Sequence, residues 1–331
     1  MQTPSGLFVA SPSARTGYFK VWLRDNCYVA LGFDRCGDHE TATKIMHGIL
    51  DILQKHKDKI VWATKNKPTE PYQFIHARYH PDTLEEFHEP WGNKQNDAIG
   101  LILYMIGDMH LRHGGVLRGK DDIEMMQLLV NYLENIVYWE MPDNGMWEES
   151  EELHASSIGA CVAGLMQIEY HVKVPLELIE KGYQALDELL PRESKSRFCD
   201  LALLSLIYPY NILKPSQEHE IVKNVEYYLK KNFGVIRYRG DKYYSLDSNG
   251  HQEAEWTMGY PWLAIIYEQM GDHASALDDL CATKRLLHEG GLPELYYSGT
   301  KTPNDNSPLA WAEAMYAIAL HNIKDKSIMK P

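Results

Sequence analysis

Apolar residues recur at helical spacing along almost the whole chain, and this restricts the fold more than any other feature. The segments 24–35, 38–56, 94–113, 120–138, 149–171, 175–190, 197–208, 216–232, 256–270, 273–288 and 306–323 each place apolar side chains at i, i+3, i+4 and i+7, as Ile45, Ile49, Ile52 and Leu53 do. Gly37-Asp38 and Gly271-Asp272 read as helix stops with the next helix starting at once. Short turns at 35–38, 171–175 and 270–273 alternate with long connections at 57–93, 139–148, 233–255 and 289–305. Eleven helices in hairpin pairs, with no linker rich in Pro, Gly or Ser, predict one all-α toroidal domain over residues 1–331. Its long connections gather at one end, where sites are built. Within 233–255, Val235-Ile-Arg-Tyr-Arg and Tyr243-Tyr-Ser-Leu read as hairpin strands.

Charge and cysteine usage narrow the partners. Lys and Arg total 33 against 46 Asp and Glu, a net charge of −13, which argues against nucleic acid or an anionic membrane as the main partner. No window is apolar enough for a membrane span, and the first ten residues lack the pattern of a secretory signal. The five cysteines are scattered without a C-x-x-C pair, so neither a zinc site nor a disulfide framework is expected. Reduced thiols in a cytoplasmic protein without metal or cofactor are the simplest account. Eight Trp and 21 Tyr are a surplus that packs a core or lines a sugar site, since flat apolar rings match pyranose C–H faces.

Four segments carry candidate chemistry. In Tyr18-Phe-Lys-Val-Trp22-Leu-Arg24-Asp25 a donor fork stands beside an acceptor carboxylate, which suits a sugar diol and equally suits a helix cap with an ion pair. Trp91-Gly-Asn-Lys-Gln95-Asn-Asp97 opens another helix with an aromatic, an amide and an acid. In Pro142-Asp-Asn-Gly-Met-Trp147-Glu148-Glu149 an apolar wall adjoins a carboxyl, a setting that raises its pKa toward general-acid use; the alternative is a solvated acidic turn. Glu294, between Pro293 and the Tyr296-Tyr297 pair, offers a second carboxyl or an exposed salt bridge. Two carboxylic acids on separate connections fit glycoside hydrolysis.

In order along the chain, Ser5 through Ser13, Tyr18 through Asp25, Trp91 through Asp97, Gly145 through Glu149, Gly259 through Trp262, Leu292-Pro-Glu294 and Ser307 through Trp311 resemble glycoside hydrolase family 15, the glucoamylase family, in its prokaryotic type. The resemblance implies an (α/α)6 barrel and an inverting, exo-acting hydrolase that releases β-glucose from the non-reducing end of a short α-glucoside. It implies Glu148 as general acid and Glu294 as general base, separated by roughly 6.5–9.5 Å. Arg24 and Asp25 would hold the terminal glucose, with Tyr18, Trp22, Trp91 and Trp147 as walls. Gln95 and Trp262 would join the substrate-binding set, and Glu149 would reach the next sugar.

Three departures accompany the likeness. The family's first helix is expected to be absent, leaving either a gap in the barrel or a place filled by an unusual terminus or by a partner chain, such as a second copy in a homo-oligomer. The β-sandwich that precedes the barrel in many prokaryotic members is expected to be absent too. Glu253 and Glu255 stand where starch-degrading relatives have an arginine contacting the second sugar, which favours a short or differently linked substrate, trehalose included. The alternative is a catalytically silent glucan-binding or regulatory domain, as in phosphorylase kinase subunits, whose Trp-Gly-x-x-Gln-x-Asp segment is similar. A third reading makes all these residues structural in a helical scaffold.

Overall fold

In the computed structural model, which describes residues 1–247, 251–289 and 291–328, every one of the eleven predicted segments is helical. The helices are α1 (Leu23–Arg35), α2 (His39–Lys55), α3 (Lys57–Ala63), α4 (Asn96–His113), α5 (Lys120–Ile136), α6 (Ala155–Ile168), α7 (Leu176–Leu189), α8 (Pro215–Tyr228), α9 (Gly259–Met270), α10 (His273–Arg285) and α11 (Ala310–Ile328). The segment predicted at 197–208 forms a short 3-10 helix, Leu201–Leu206, capped by the Asp200 side chain on the Ala202 N–H at 2.8 Å. The short α3 lies in what the sequence suggested was connection, because seven residues are too few for a periodic signal.

Hydropathy sorts the helices into two layers. α4, α6 and α9 are buried on nearly all sides, whereas α2, α5 and α7 bury only a stripe, such as Ala42, Ile45, Met46, Ile49, Ile52 and Leu53 of α2. The inner ring closes through packed neighbours in the order α1, α4, α6, Leu201–Leu206, α9, α11 and back to α1. α4 and α6 approach most closely: a Cβ on Gly100 would stand 2.3 Å from the Ala160 carbonyl carbon, and one on Gly164 2.3 Å from the Gly100 oxygen. Outside lie α2, α5, α7, α8 and α10. The result is the all-α (α/α)6 toroid predicted from the sequence.

Among the described residues, the place of a sixth outer helix, over α1 and α11, is held by none of the helices. An apolar groove runs there instead, lined by Val29, Phe33, Ala314 and Ala317, with Met1 and Phe8 at its rim. No helix among the described residues is long and apolar enough to cross a membrane. Cys27, Cys161, Cys199 and Cys281 are free thiols.

Two tiny antiparallel ladders brace the connections. β1 (Val21–Trp22) pairs with β2 (Arg78–Tyr79), Trp22 opposite Arg78. β3 (Glu255–Trp256) pairs with β4 (Leu295–Tyr296), Trp256 opposite Leu295. The hairpin predicted within 233–255 does not form. Val235 bridges Trp256 and Lys230, Tyr238 bridges Asp200, and 243–244 is turn, so partners elsewhere in the chain outcompete pairing between the two segments. Residues 248–250 and 290 of the long connections lie outside the described residues.

Candidate active site

The side chains with chemistry converge because every inner helix begins at the same end of the toroid. Arg24 and Asp25 open α1, Asp97 opens α4, Trp147 to Glu149 precede α6, Trp256 precedes α9, and Glu294 and Trp311 flank the start of α11. Helix N-termini carry partial positive charge and favour carboxylates there. A cavity of ≈ 380 Å³ lies at this end, and its walls include Tyr18, Trp22, Arg24, Asp25, Trp91, Trp147, Glu148, Glu149 and Glu294. Nine of the eleven residues proposed from the sequence therefore meet in one place.

Glu148 sits on a tight loop closed at its base by Asp143 and Glu152, whose backbones exchange hydrogen bonds of 2.9 and 3.0 Å. Within the loop the Glu149 N–H donates to the Asn144 carbonyl at 2.9 Å, and Glu148 takes the left-handed conformation, φ +61°. Such a backbone at a non-glycine residue costs on the order of 1–3 kcal/mol and recurs at functional positions. Three donors hold the carboxyl: Trp22 Nε1 (2.8 Å) and Arg24 Nη2 (2.7 Å) on Oε1, and Trp91 Nε1 (2.6 Å) on Oε2. Trp91 is itself clamped by the Arg78 guanidinium, 3.6 Å above its ring. Arg24 also donates to Asp97 Oδ2 and Gln95 Oε1, both at 3.0 Å. Burial works against the Arg24 charge, yet Asp97, Glu148 and Asp25 hold its pKa well above the ordinary value.

Glu294 is fixed independently. Its Oε1 accepts from Tyr18 Oη at 2.7 Å, and its Oε2 accepts from Asn304 Nδ2 (2.5 Å) and Asn306 Nδ2 (2.8 Å). Its backbone is tied on both sides, to Asn306 at 2.8 Å and to Thr257 at 3.1 Å. Burial raises its pKa, and the three hydrogen bonds pull against that rise. Asp25 is pushed up to about 7, first by burial and further by the neighbouring Glu148 and Glu294, with Arg24 opposing.

The remaining wall is aromatic and cationic. Trp147 donates to Asp200 at 2.7 Å and stacks on Trp311, which stacks in turn on Tyr28. Glu149 accepts from Arg237 Nη2 at 2.8 Å, from Tyr238 Oη at 2.6 Å and from Arg197. Arg237, 3% exposed, is also paired with the fully buried Asp241 at 2.7 Å.

Three expectations need correction. Trp262 is fully buried, donates to the Tyr208 carbonyl at 2.8 Å and packs on Trp311, so it backs the cavity without reaching it. Gln95 bridges Arg24 and the Gly92 carbonyl and is no part of the wall. The site does contain an arginine on the Glu149 side. Arg237 reaches the cavity from the start of the 233–255 connection, because the Asp200–Tyr238 bridge folds that segment inward. Glu255 instead ties loops, accepting from the Phe233 N–H at 2.5 Å and the Gly299 N–H at 2.7 Å, and Glu253 accepts from the Gly240 N–H at 2.9 Å. Trp256 and Tyr243 also line the cavity. Their only sequence signal was aromatic crowding near long connections.

The family model for glycosyl hydrolases family 15 matches residues 1–173, and the chain belongs to that family. A glycosidase solved in complex with glucose superposes with a TM-score of 0.82 at 21% identity, covering 98% of this chain and 93% of that one. The glucoamylase of Saccharomycopsis fibuligera superposes at 0.70 with 14% identity, covering 99% of this chain and 91% of that one. A curated relative, the probable phosphorylase b kinase regulatory subunit alpha of Caenorhabditis elegans, is 25% identical over 371 residues, covering 90% of this chain. The chain spans only 30% of that relative's length.

Proposed function

We propose that the cavity binds the non-reducing end of an α-glucoside and hydrolyses it with inversion, Glu148 acting as general acid and Glu294 as general base. The carrying observation is that both carboxyls face one cavity of ≈ 380 Å³, each held by its own set of donors from different connections. Glu148 gives its proton to the glycosidic oxygen as the bond to the anomeric carbon breaks. Glu294 takes a proton from water, whose oxygen attacks that carbon from the opposite face. Arg24 and Asp25 supply a donor fork and an acceptor for sugar hydroxyls, and the indoles of Trp22, Trp91 and Trp147 supply apolar faces. Glu149, held by Arg237 and Arg197, presents a fixed polar edge to the following sugar.

The curated relatives favour a second reading. Their names are those of phosphorylase b kinase regulatory subunits, so the same cavity would hold a glucan end as a signal and not turn it over. Both readings place a saccharide on Trp22, Trp91 and Trp147, and they part on turnover. A panel of α-linked di- and oligosaccharides, followed by tryptophan fluorescence for binding and by glucose release for hydrolysis, separates them. Hydrolysis that Glu148→Gln and Glu294→Gln each lower by about 100-fold or more, with binding kept, supports the enzyme. Saccharide binding without release by the unaltered chain supports the regulatory domain. An absence of binding to every saccharide rejects both.

A further inference from the structure

A second cavity, of ≈ 410 Å³, opens between the end of α5, the start of α6 and the outer face of α7. It is as large as the cavity that holds Glu148 and Glu294. Leu153, Ile158, Ala185 and Leu189 give it an apolar floor, Trp139 stands at its side, and Glu140, Lys181, Gln184 and Glu188 line it with both donors and acceptors. Trp139 is half-buried, with its indole N–H donating to Glu140 at 3.2 Å and the Lys181 ammonium 4.9 Å from its ring centre.

The chemistry selects the ligand class. Two carboxylates repel an anion, and the Lys181 ammonium already lies over the indole ring where a cation would sit, so the cavity fits a neutral ligand. An aromatic side, an apolar floor and a rim of mixed hydrogen-bonding groups suit a polyhydroxylated ring, whose faces are C–H and whose edge is hydroxyl.

Its position gives the ligand a second attachment. The connection from α5 to α6 begins in this cavity at Trp139 and Glu140, passes through Met146 to Glu149 in the first cavity, and returns to the second at Leu153. Leu153 follows Glu149 by four residues, at most about 14 Å of backbone. Both cavities are therefore lined by one connection, which leads into α6 at the end of the toroid where the inner helices begin. We propose that the Trp139 cavity is a second carbohydrate site, holding a distal part of an α-glucan whose non-reducing end lies between Glu148 and Glu294. This rests on the saccharide reading of the first cavity and holds with or without turnover. Two linked contacts raise affinity for a chain long enough to span both without altering the affinity for a disaccharide.

Calorimetric titration with maltose and with maltoheptaose, in the Glu148→Gln background so that neither is consumed, tests the site. Maltoheptaose is expected to bind about tenfold tighter than maltose, and Trp139→Ala to erase that margin while maltose affinity stays the same. A double variant, Gln184→Ala with Glu188→Ala, changes only exposed side chains of α7 and is expected to narrow the margin with no loss of folding. Maltose binding without any margin, or a margin that survives all three substitutions, overturns the second site and leaves the first cavity standing. Failure to bind either saccharide overturns both.

Discussion

Tyr18→Phe removes a single hydroxyl from the centre of the proposed base. That hydroxyl donates to Glu294 Oε1 at 2.7 Å and lies 2.7 Å from the Tyr243 hydroxyl, while Asn304 and Asn306 hold the other oxygen. A phenylalanine ring fits the same space, so the change is electrostatic. A hydrogen bond to a charged acceptor contributes about 1.5–3 kcal/mol, equivalent to about 10- to 150-fold in kcat/KM on a substrate identified by the saccharide panel. The lost donor stabilised the ionised carboxylate, so the already raised pKa of Glu294 rises further. The base must be ionised to take a proton from water. The acidic limb of the kcat/KM profile therefore moves to higher pH, and the alkaline limb stays where it was. Tyr243→Phe leaves the Tyr18–Glu294 bond intact and is expected to shift the profile less. A Tyr18→Phe enzyme with kcat/KM within about twofold of the parent and an unmoved acidic limb would refute the assignment of Glu294 as base.

Gly145 has φ +63°, and a Cβ there would stand 2.8 Å from the His154 ring. Gly145→Ala is expected to cost at least about 1–2 kcal/mol in urea unfolding and to lower turnover more than that loss implies, because Glu148 rides on the same loop. Burial opposes the charge on His154, but Glu193 at 3.3 Å and Asp143 outweigh it and raise the group from 6.5 to about 9. Its stabilisation is complete below the unfolded value and is lost as pH climbs through the folded one, a difference of about 3 kcal/mol. The melting temperature should fall between about pH 6.5 and 9, with that slope missing in His154→Gln; a slope unchanged by the substitution rejects the assignment. Arg237→Met strands the buried Asp241 carboxylate and is expected to destabilise by about 3–5 kcal/mol, read by urea denaturation, whereas an effect below about 1 kcal/mol contradicts the burial argument.

Helices were legible because burial on one stripe or on all sides leaves a period in the chain, as in α2 and α4. The form of one inner element was not, since the segment read as a helix over 197–208 enters the inner layer as the six-residue 3-10 helix Leu201–Leu206. Glu148 and Glu294 stood out through unusual neighbours, Trp147 on one side and Pro293 with two tyrosines on the other. Arg237 did not, because its place is fixed by the Asp200–Tyr238 bridge, a contact between segments 38 residues apart. Trp262 misled for the converse reason. A tryptophan near a long connection can equally back the wall, and its indole N–H found the Tyr208 carbonyl in the core.

Inversion is read directly from the anomer first released from an α-linked glucosyl disaccharide, followed by proton NMR before mutarotation blurs it. With Glu148 protonating the leaving oxygen and Glu294 activating a water on the opposite face, the first product is β-glucose. Appearance of α-glucose first, or β-glucose formed at an unchanged rate by Glu294→Gln, contradicts it.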